Sequence, residues 1–421
     1  MMVKLPPELA EIVDHLQAVD SDERRKAVYE LERFPVDLVS NHLINALKDN
    51  NRGVRDAASE VIGRFPASQI ASALVPLLGS ERIEVRNLAA AILTRFGKEI
   101  SHVLVETIND ANEDVRKFAV DILGQIKDEK SVSVLCYLAE NDIVDNVVIS
   151  AMEALGKIGS RQALPTLYRM FEQRPEFRAE VAESLGLIGD PESAAFLEKH
   201  LSLNDPTIAF GIIDALGNIG ESRSLKLLRN CFFWFEGELR HQTVKAILKI
   251  GLKSQINVLD KQSAIFWNSI ANLLGCHDSE VEDLLIYQIK NFPTRDILTM
   301  VWQLTEIASP TMLLTLLESG KGKLEFFKLN CHLCYHRDEN VAYNAIAALG
   351  FYDTQKIIPV LREIISKVQG YPLLATIKII AEKQLKEFFP EIKMLSSSED
   401  LDVQTAAEEL IAYFEKLEKN Y

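Results

Sequence analysis

The chain has 421 residues, 48% hydrophobic and 25% charged, with a formal net charge of −15. Gly and Pro make up only 33 of the 421, too few for a disordered or linker-rich chain. The acidic balance disfavours DNA, RNA and anionic membranes as partners, because displacing their counterions needs clustered Lys and Arg. The charge is uneven: residues 101–150 carry 10 acids against 4 bases, while residues 51–100 carry 7 bases against 5 acids. No run approaches the roughly 18 apolar residues of a membrane span. The opening MMVKLPPELAE is too polar and too short for a signal peptide. Five cysteines, at 136, 231, 276, 331 and 334, are odd in number and scattered, which suits free thiols in a reducing cytoplasm.

The first predicted helix runs from Pro7 to Val19. A repeat then sets in, anchored nine residues before its Gly-equivalent position at Arg24, Val54, Val85, Val115, Val147, Phe177, Ile208, Leu239 and Phe266, apolar in all but the first. Their spacings are 30, 31, 30, 32, 30, 31, 31 and 27. The clearest copies are EDVRKFAVDILGQIKDEKSVSVL from Glu113 and PEFRAEVAESLGLIGDPESAAFL from Pro175, with LGKIGSRQALPTL from Leu155 and LGNIGESRSLKLL from Leu216. Val115, Phe118, Ala119, Ile122 and Leu123 fall at helical spacing, so each unit opens with an amphipathic helix. The closing Gly of Leu-Gly-x-Ile-Gly ends that helix, since Gly accepts the left-handed conformation. A second helix follows a polar cap, as where Asp190 precedes Pro191. Two such helices cannot bury their apolar stripes against each other alone, so the units must stack.

An Arg recurs just after the anchor, at Arg25, Arg55, Arg86, Arg116, Arg178 and Arg240; Val148, Ala209, Trp267 and Ala342 replace it elsewhere. It reads either as a ladder tying repeat to repeat or as a row of planar forks for phosphate or carboxylate. Further along, NCFFWFEGELRHQ sets Phe232, Phe233, Trp234 and Phe235 side by side. Four consecutive aromatics span about 300° of a helix, so they cannot share one buried face. At least one of them is expected at the surface or in a groove between repeats, and the run reads either as a wide hydrophobic plug between repeats seven and eight or as a docking surface. Trp267 and Trp302 fall on predicted first helices and are assigned to the core.

Weaker anchors follow at Ile297, Val341, Pro372 and Val403, and the spacing from Ile297 to Val341 is 44. The excess predicts one inserted helix near 321–336, carrying Cys331, His332, Cys334 and His336. On a continuous helix the two thiols and the two imidazoles diverge by about 150°, which no single zinc ion can reconcile. A zinc site, a Cys-x-x-Cys redox pair and a buried thiol face opposite solvent-side histidines were the three readings open, and the geometry favours the last, with both cysteines buried. The C-terminal segment reads as a capping helix after Ser398, with Glu408, Glu409, Glu415 and Glu418 outward.

These repeats resemble the HEAT-repeat family, in particular the short HEAT-like repeats of the phycobilisome-lyase type. The resemblance implies an all-α, right-handed α-α superhelix of the HEAT-like or armadillo type with about twelve helix pairs. The expected organisation is a single solenoid over 1–421, with regular repeats over 1–290, irregular repeats over 291–396 and a capping helix over 397–421. No Walker loop, Gly-x-Ser-x-Gly or His-Glu metal motif is present in the sequence, so no catalytic residue, metal or cofactor is assigned. The expected function is a cytoplasmic, non-enzymatic scaffold or adaptor that binds a protein on its concave face, in bacterial signalling or complex assembly by family habit. Candidate contacts are Tyr168, Arg169 and Lys199 together with the aromatic run. The alternatives are a bilin lyase-like tetrapyrrole chaperone and, against the charge, a HEAT-like nucleic-acid-binding protein.

Overall fold

A guanidinium that reaches back to the turn after the preceding helix sets how the chain passes from one helix into the next. The computed structural model describes residues 6–202 and 205–419, without the side chains of 417–419, so the outward position expected of Glu418 lies outside the described residues. Among the described residues the regular structure is helical throughout, and the chain divides into two compact units, Met1–Ile219 and Gly220–Tyr421.

The first unit contains α1 (Pro7–His15), α2 (Ser21–Glu30), α3 (Val36–Ala46), α4 (Arg52–Ile62), α5 (Ala67–Leu74), α6 (Ile83–Phe96) and α7 (Ser101–Thr107). It continues with α8 (Glu113–Ile126), α9 (Val132–Asn141), α10 (Asp145–Ile158), α11 (Leu164–Gln173), α12 (Arg178–Ile188), α13 (Pro191–His200) and α14 (Pro206–Ile219). The even-numbered helices stack in one layer, each on the next, and the odd-numbered helices lie against them. Val115, Ala119, Ile122 and Leu123 of α8 are buried as the helical period requires. Asp190 caps α13 by accepting from the Glu192 amide. The helix-ending left-handed residue is Gly159 or Gly189 where the sequence has Gly, and Lys127 takes the same conformation without one.

The recurrent Arg is a tie within the turn. Arg55 donates to the Asp49 and Asn50 carbonyls, Arg86 to the Ser80 carbonyl and Arg116 to the Asp110 carbonyl. In the first repeat the anchor residue itself does this: Arg24 donates to the carbonyls of Ala18 and Val19, while Arg25, expected in that role, pairs with Asp22 on its own helix. Arg24 and Arg116 also clasp the carboxylate of the following turn with both arms, Arg24 on Asp49 at 2.8 and 2.9 Å and Arg116 on Asp142 at 2.9 and 3.0 Å. These guanidiniums are engaged by turn carbonyls and carboxylates rather than aligned as free forks for an anion.

The first Gly of Leu-Gly-x-Ile-Gly has a separate task that the sequence reading missed. A Cβ on Gly124 would lie 2.8 Å from the Ala154 Cα, and one on Gly186 2.8 Å from the Ala215 Cα. The bare Gly surface is what lets α8 approach α10 and α12 approach α14.

The second unit contains α15 (Ser224–Trp234), α16 (Gly237–Lys253), α17 (Ala264–Gly275), α18 (Ser279–Asn291), α19 (Arg295–Leu304) and α20 (Pro310–Gly320). It ends with α21 (Phe327–Leu333), α22 (Glu339–Leu349), α23 (Thr354–Lys367), α24 (Leu373–Glu382), α25 (Phe389–Leu395) and α26 (Leu401–Lys419). Again the even-numbered helices from α16 to α26 stack in series. Asp400, rather than Ser398, caps α26 through the Asp402 and Val403 amides.

The alternation corrects the position of the added length. Helix α21 is an ordinary member of the odd-numbered layer, not an insertion. Phe266 and Ile297, taken as anchors, belong to α17 and α19 of that same layer. The even-layer equivalents are Val281 and Met312, each three residues after a cap, Asp278 and Ser309. Leu239 to Val281 then spans 42 residues, followed by steps of 31 and 29 to Met312 and Val341. The surplus is the 17-residue α16 and the segment 254–263 after it. The misreading has a physical cause: Ser263 and Thr294 cap odd-layer helices with the same three-residue spacing to an apolar residue.

Two substitutions test these contacts. Burial alone would raise the Asp142 carboxyl, but the Arg116 guanidinium and the Val144 amide overcome it and hold it below the usual carboxylate range. Its stabilisation is therefore present above its ordinary value of 3.8 and is lost as pH falls through the lower folded value. Arg116→Ala leaves Asp142, whose side chain is 5% exposed, unpaired, and is expected to cost about 3 kcal/mol in urea denaturation at neutral pH. Gly186→Ala should lower stability by about 1–3 kcal/mol through overpacking, against the roughly 1 kcal/mol that Ala gains in helix propensity; a stabilised variant would contradict the close approach.

Candidate functional site

The displaced rhythm places its extra segment beside the aromatic run, and residues of both line one cavity. Helix α15 ends at Trp234, and Phe235 is extended, with φ −83° and ψ 152°. The four aromatics therefore divide. Phe232 and Phe235 turn inward and are 2% and 5% exposed, while Phe233 and Trp234 face out at 59% and 63%. Arg240 fixes this turn by donating to the Phe235 carbonyl at 2.8 Å, with its guanidinium 5.7 Å from the Phe232 ring centroid.

The segment 254–263 is tied down rather than loose. Gln288 of α18, fully buried, accepts from the Val258 amide at 3.1 Å and donates to the Ile256 carbonyl at 3.0 Å. Ser254 donates to the Gly220 carbonyl, and Val258 and Leu259 are buried. On one side of the segment a cavity of about 360 Å³ is lined by Arg229, Phe232, Phe233, Lys261, Gln262 and Phe266, among others. A second, also about 360 Å³, is lined by Leu259, Lys261, Trp267, Ile297 and Met300, among others. The sequence signal for this arrangement was Gln288, a polar residue at a position where the stacked helices need a buried side chain.

The other candidate contacts lie in the first unit and are partly engaged there. Tyr168 shares a hydrogen bond with Ser193 at 2.9 Å and stacks on Phe196, centroids 4.4 Å apart. Arg169 donates to Glu140 and to the Thr166 hydroxyl. Lys199 is exposed. A feature missed in the sequence lies on α8, α10, α12 and α14. Asp121, Glu153, Glu183 and Asp214 each stand six residues after the anchor, giving one carboxylate per stacked helix. Burial, then Glu153, Asp214 and Glu180, push the Glu183 carboxyl above its ordinary value. Phe210 and Leu187 of α14 and α12 are exposed as well.

The Cys-His stretch resolves differently from the expectation in part. Helix α21 stops at Leu333, Cys334 is fully buried, and Cys331 is only half-buried. Burial raises both thiols, Cys331 to about 11, which leaves them in the unreactive protonated form. The histidines are half-buried rather than on an open solvent face. His332 lies 3.1 Å from the Thr305 hydroxyl and stacks on Trp302, and His336 approaches the Thr305 carbonyl. Trp302, expected in the core, is 42% exposed and roofs His332. Among the described residues no three His, Cys, Asp or Glu side chains converge as a metal site would need.

Burial holds the His332 imidazole below its ordinary value of 6.5, against the pull of Glu306. The unfolded chain thus binds the proton more readily, and stability present above 6.5 is lost as pH falls through it. Urea midpoints should drop between about pH 7.5 and 5.5, and His332→Gln should flatten that drop; an unchanged slope would show that the imidazole contributes nothing.

Residues 100–176 and 172–232 match HEAT repeats. No curated protein sequence matches the chain. Among solved structures, the Kap95p complex with RanGDP is similar at a TM-score of 0.54 and 13% identity, over 96% of this chain and 66% of the matched one. The chain thus spans just under two thirds of that neighbour. The CpcE–CpcF phycocyanin lyase complex of Nostoc sp. PCC7120 has a TM-score of 0.32 and 19% identity, over 64% of this chain and 96% of the other. Human deoxyhypusine hydroxylase has a TM-score of 0.27 and 18% identity, over 58% and 96%. The matched repeats and the likeness to the Kap95p complex show a fold: an all-α solenoid of HEAT-type repeats.

Proposed function

We propose that this HEAT-repeat chain is a non-enzymatic scaffold that binds a protein partner along the α15 edge. The observation that carries the reading is the exposure of Phe233 and Trp234 beside a cavity whose walls are fixed from below. Exposed aromatics forfeit burial energy in the free chain, and Trp and Tyr dominate binding energy where a partner covers them. A surface built on packed helices and a pinned segment loses little entropy when it is covered. Kap95p, of similar fold, binds RanGDP, so the architecture is able to hold a protein. The carboxylate row on the first unit offers a second face, suited by its charge to a basic partner.

The test is a photo-crosslink in the cell that makes the chain. With p-benzoylphenylalanine replacing Trp234, illumination should trap a protein adduct of discrete mass. The same residue at the exposed Val19 should trap markedly less. Equal yields at the two positions would refute the α15 edge as the docking surface.

A further inference from the structure

The cavity at the foot of α15 has a chemistry that narrows its occupant. Phe232, Ile247 and Phe266 line it and are 2%, 0% and 1% exposed. The Phe232 and Phe266 rings are 5.5 Å apart, and Phe233 stands edge-on to Phe232 at 5.3 Å. Around this apolar floor lie Arg229, Lys261, Asp260, Gln262 and Ser263. Arg229 and Lys261 are both exposed, and neither forms an ion pair among the described residues, unlike Lys245 and Lys249 of the adjoining α16. Asp260 is the one carboxylate on this lining, so the rim keeps an excess of positive charge in a chain that is acidic overall. Lys261 has a positive φ of 56°, and its segment is held by the Gln288 bridge, so its backbone position is fixed.

We infer that this groove takes a short segment of the partner protein carrying an apolar side chain flanked by carboxylates. The inference rests on the α15 edge being the docking surface. The apolar side chain lies over Phe232 and Phe266. A flanking carboxylate meets Arg229, whose planar fork matches two oxygens, and Lys261 supplies a second positive charge. The exposed Phe233 forms part of the groove's lining, and the exposed Trp234 follows it in the chain, so a peptide leaving the groove past Phe233 has a second ring within reach. A small molecule would instead need a site that encloses most of its surface.

The experiment uses the purified full chain and three dye-labelled hexapeptides read by fluorescence anisotropy. Each has a central Leu-Phe pair, flanked by Asp and Glu, by Ser and Gln, or by Lys and Arg. The acidic probe should bind at least tenfold tighter than the neutral one at low salt, and the gap should shrink at high salt. The double variant R229E/K261E should remove the gap, and Phe233→Ala should weaken both the acidic and the neutral probe; thermal unfolding checks that both variants fold. Three probes that bind alike, no binding by any of them, or an acidic preference that survives R229E/K261E would overturn the inference. An adduct at position 234 without acidic preference would sink the groove chemistry alone. Absence of that adduct would sink the scaffold reading with it.

Discussion

The backbone carbonyls of a turn wedged between stacked helices need donors where water is displaced. In this chain a guanidinium from the next helix supplies them. Arg24, Arg55, Arg86 and Arg116 in the first unit, and Arg240 in the second, all reach back to the preceding turn. A charged donor on a carbonyl is stronger than a neutral one, and the turn loses its freedom to swing. The pairing of Arg24 with Asp49 and Arg116 with Asp142 extends the tie to the following turn. The layers described above depend on that fixed turn geometry.

Within the first unit the tie works with a steric condition. Gly124 and Gly186 face Ala154 and Ala215 of the next even helix at distances where a Cβ would not fit, and Gly156 faces Ser184 with little room to spare. Helices packed this closely bring equivalent side chains of successive repeats side by side, so Glu183 lies within electrostatic reach of Glu153 and Asp214. Residues 1–219 hold 35 acids and 23 bases, while residues 220–421 hold 26 and 23. The surplus negative charge therefore belongs to the first unit. The second is nearly balanced in charge, and on it the exposed pair of Phe233 and Trp234 stands out.

The second unit shows how a solenoid accommodates a change of length without losing its stack. The even helices from α16 onward keep their contacts, and the longer α16 with segment 254–263 absorbs the surplus. The cost is a buried backbone that needs partners, and Gln288 provides them through both ends of its amide. The cavities on either side follow from this arrangement, since a segment that replaces a tight turn does not fill the space between neighbouring helices.

The repeat period, the apolar stripes and the caps belong to local physics, and the sequence by itself determined them. Helix existence and the layer that buries Val115, Ala119 and Ile122 were legible there, because a 3.6-residue period needs no knowledge of neighbours. The aromatic run was legible as an anomaly, since no helix face holds four consecutive rings. Tertiary structure alone decided that Phe233 and Trp234 turned outward and Phe232 and Phe235 inward, with Arg240 holding the turn after α15. It also decided where the length surplus falls. Odd and even helices begin with the same cap-to-apolar spacing, so only contact between stacked helices tells the two layers apart.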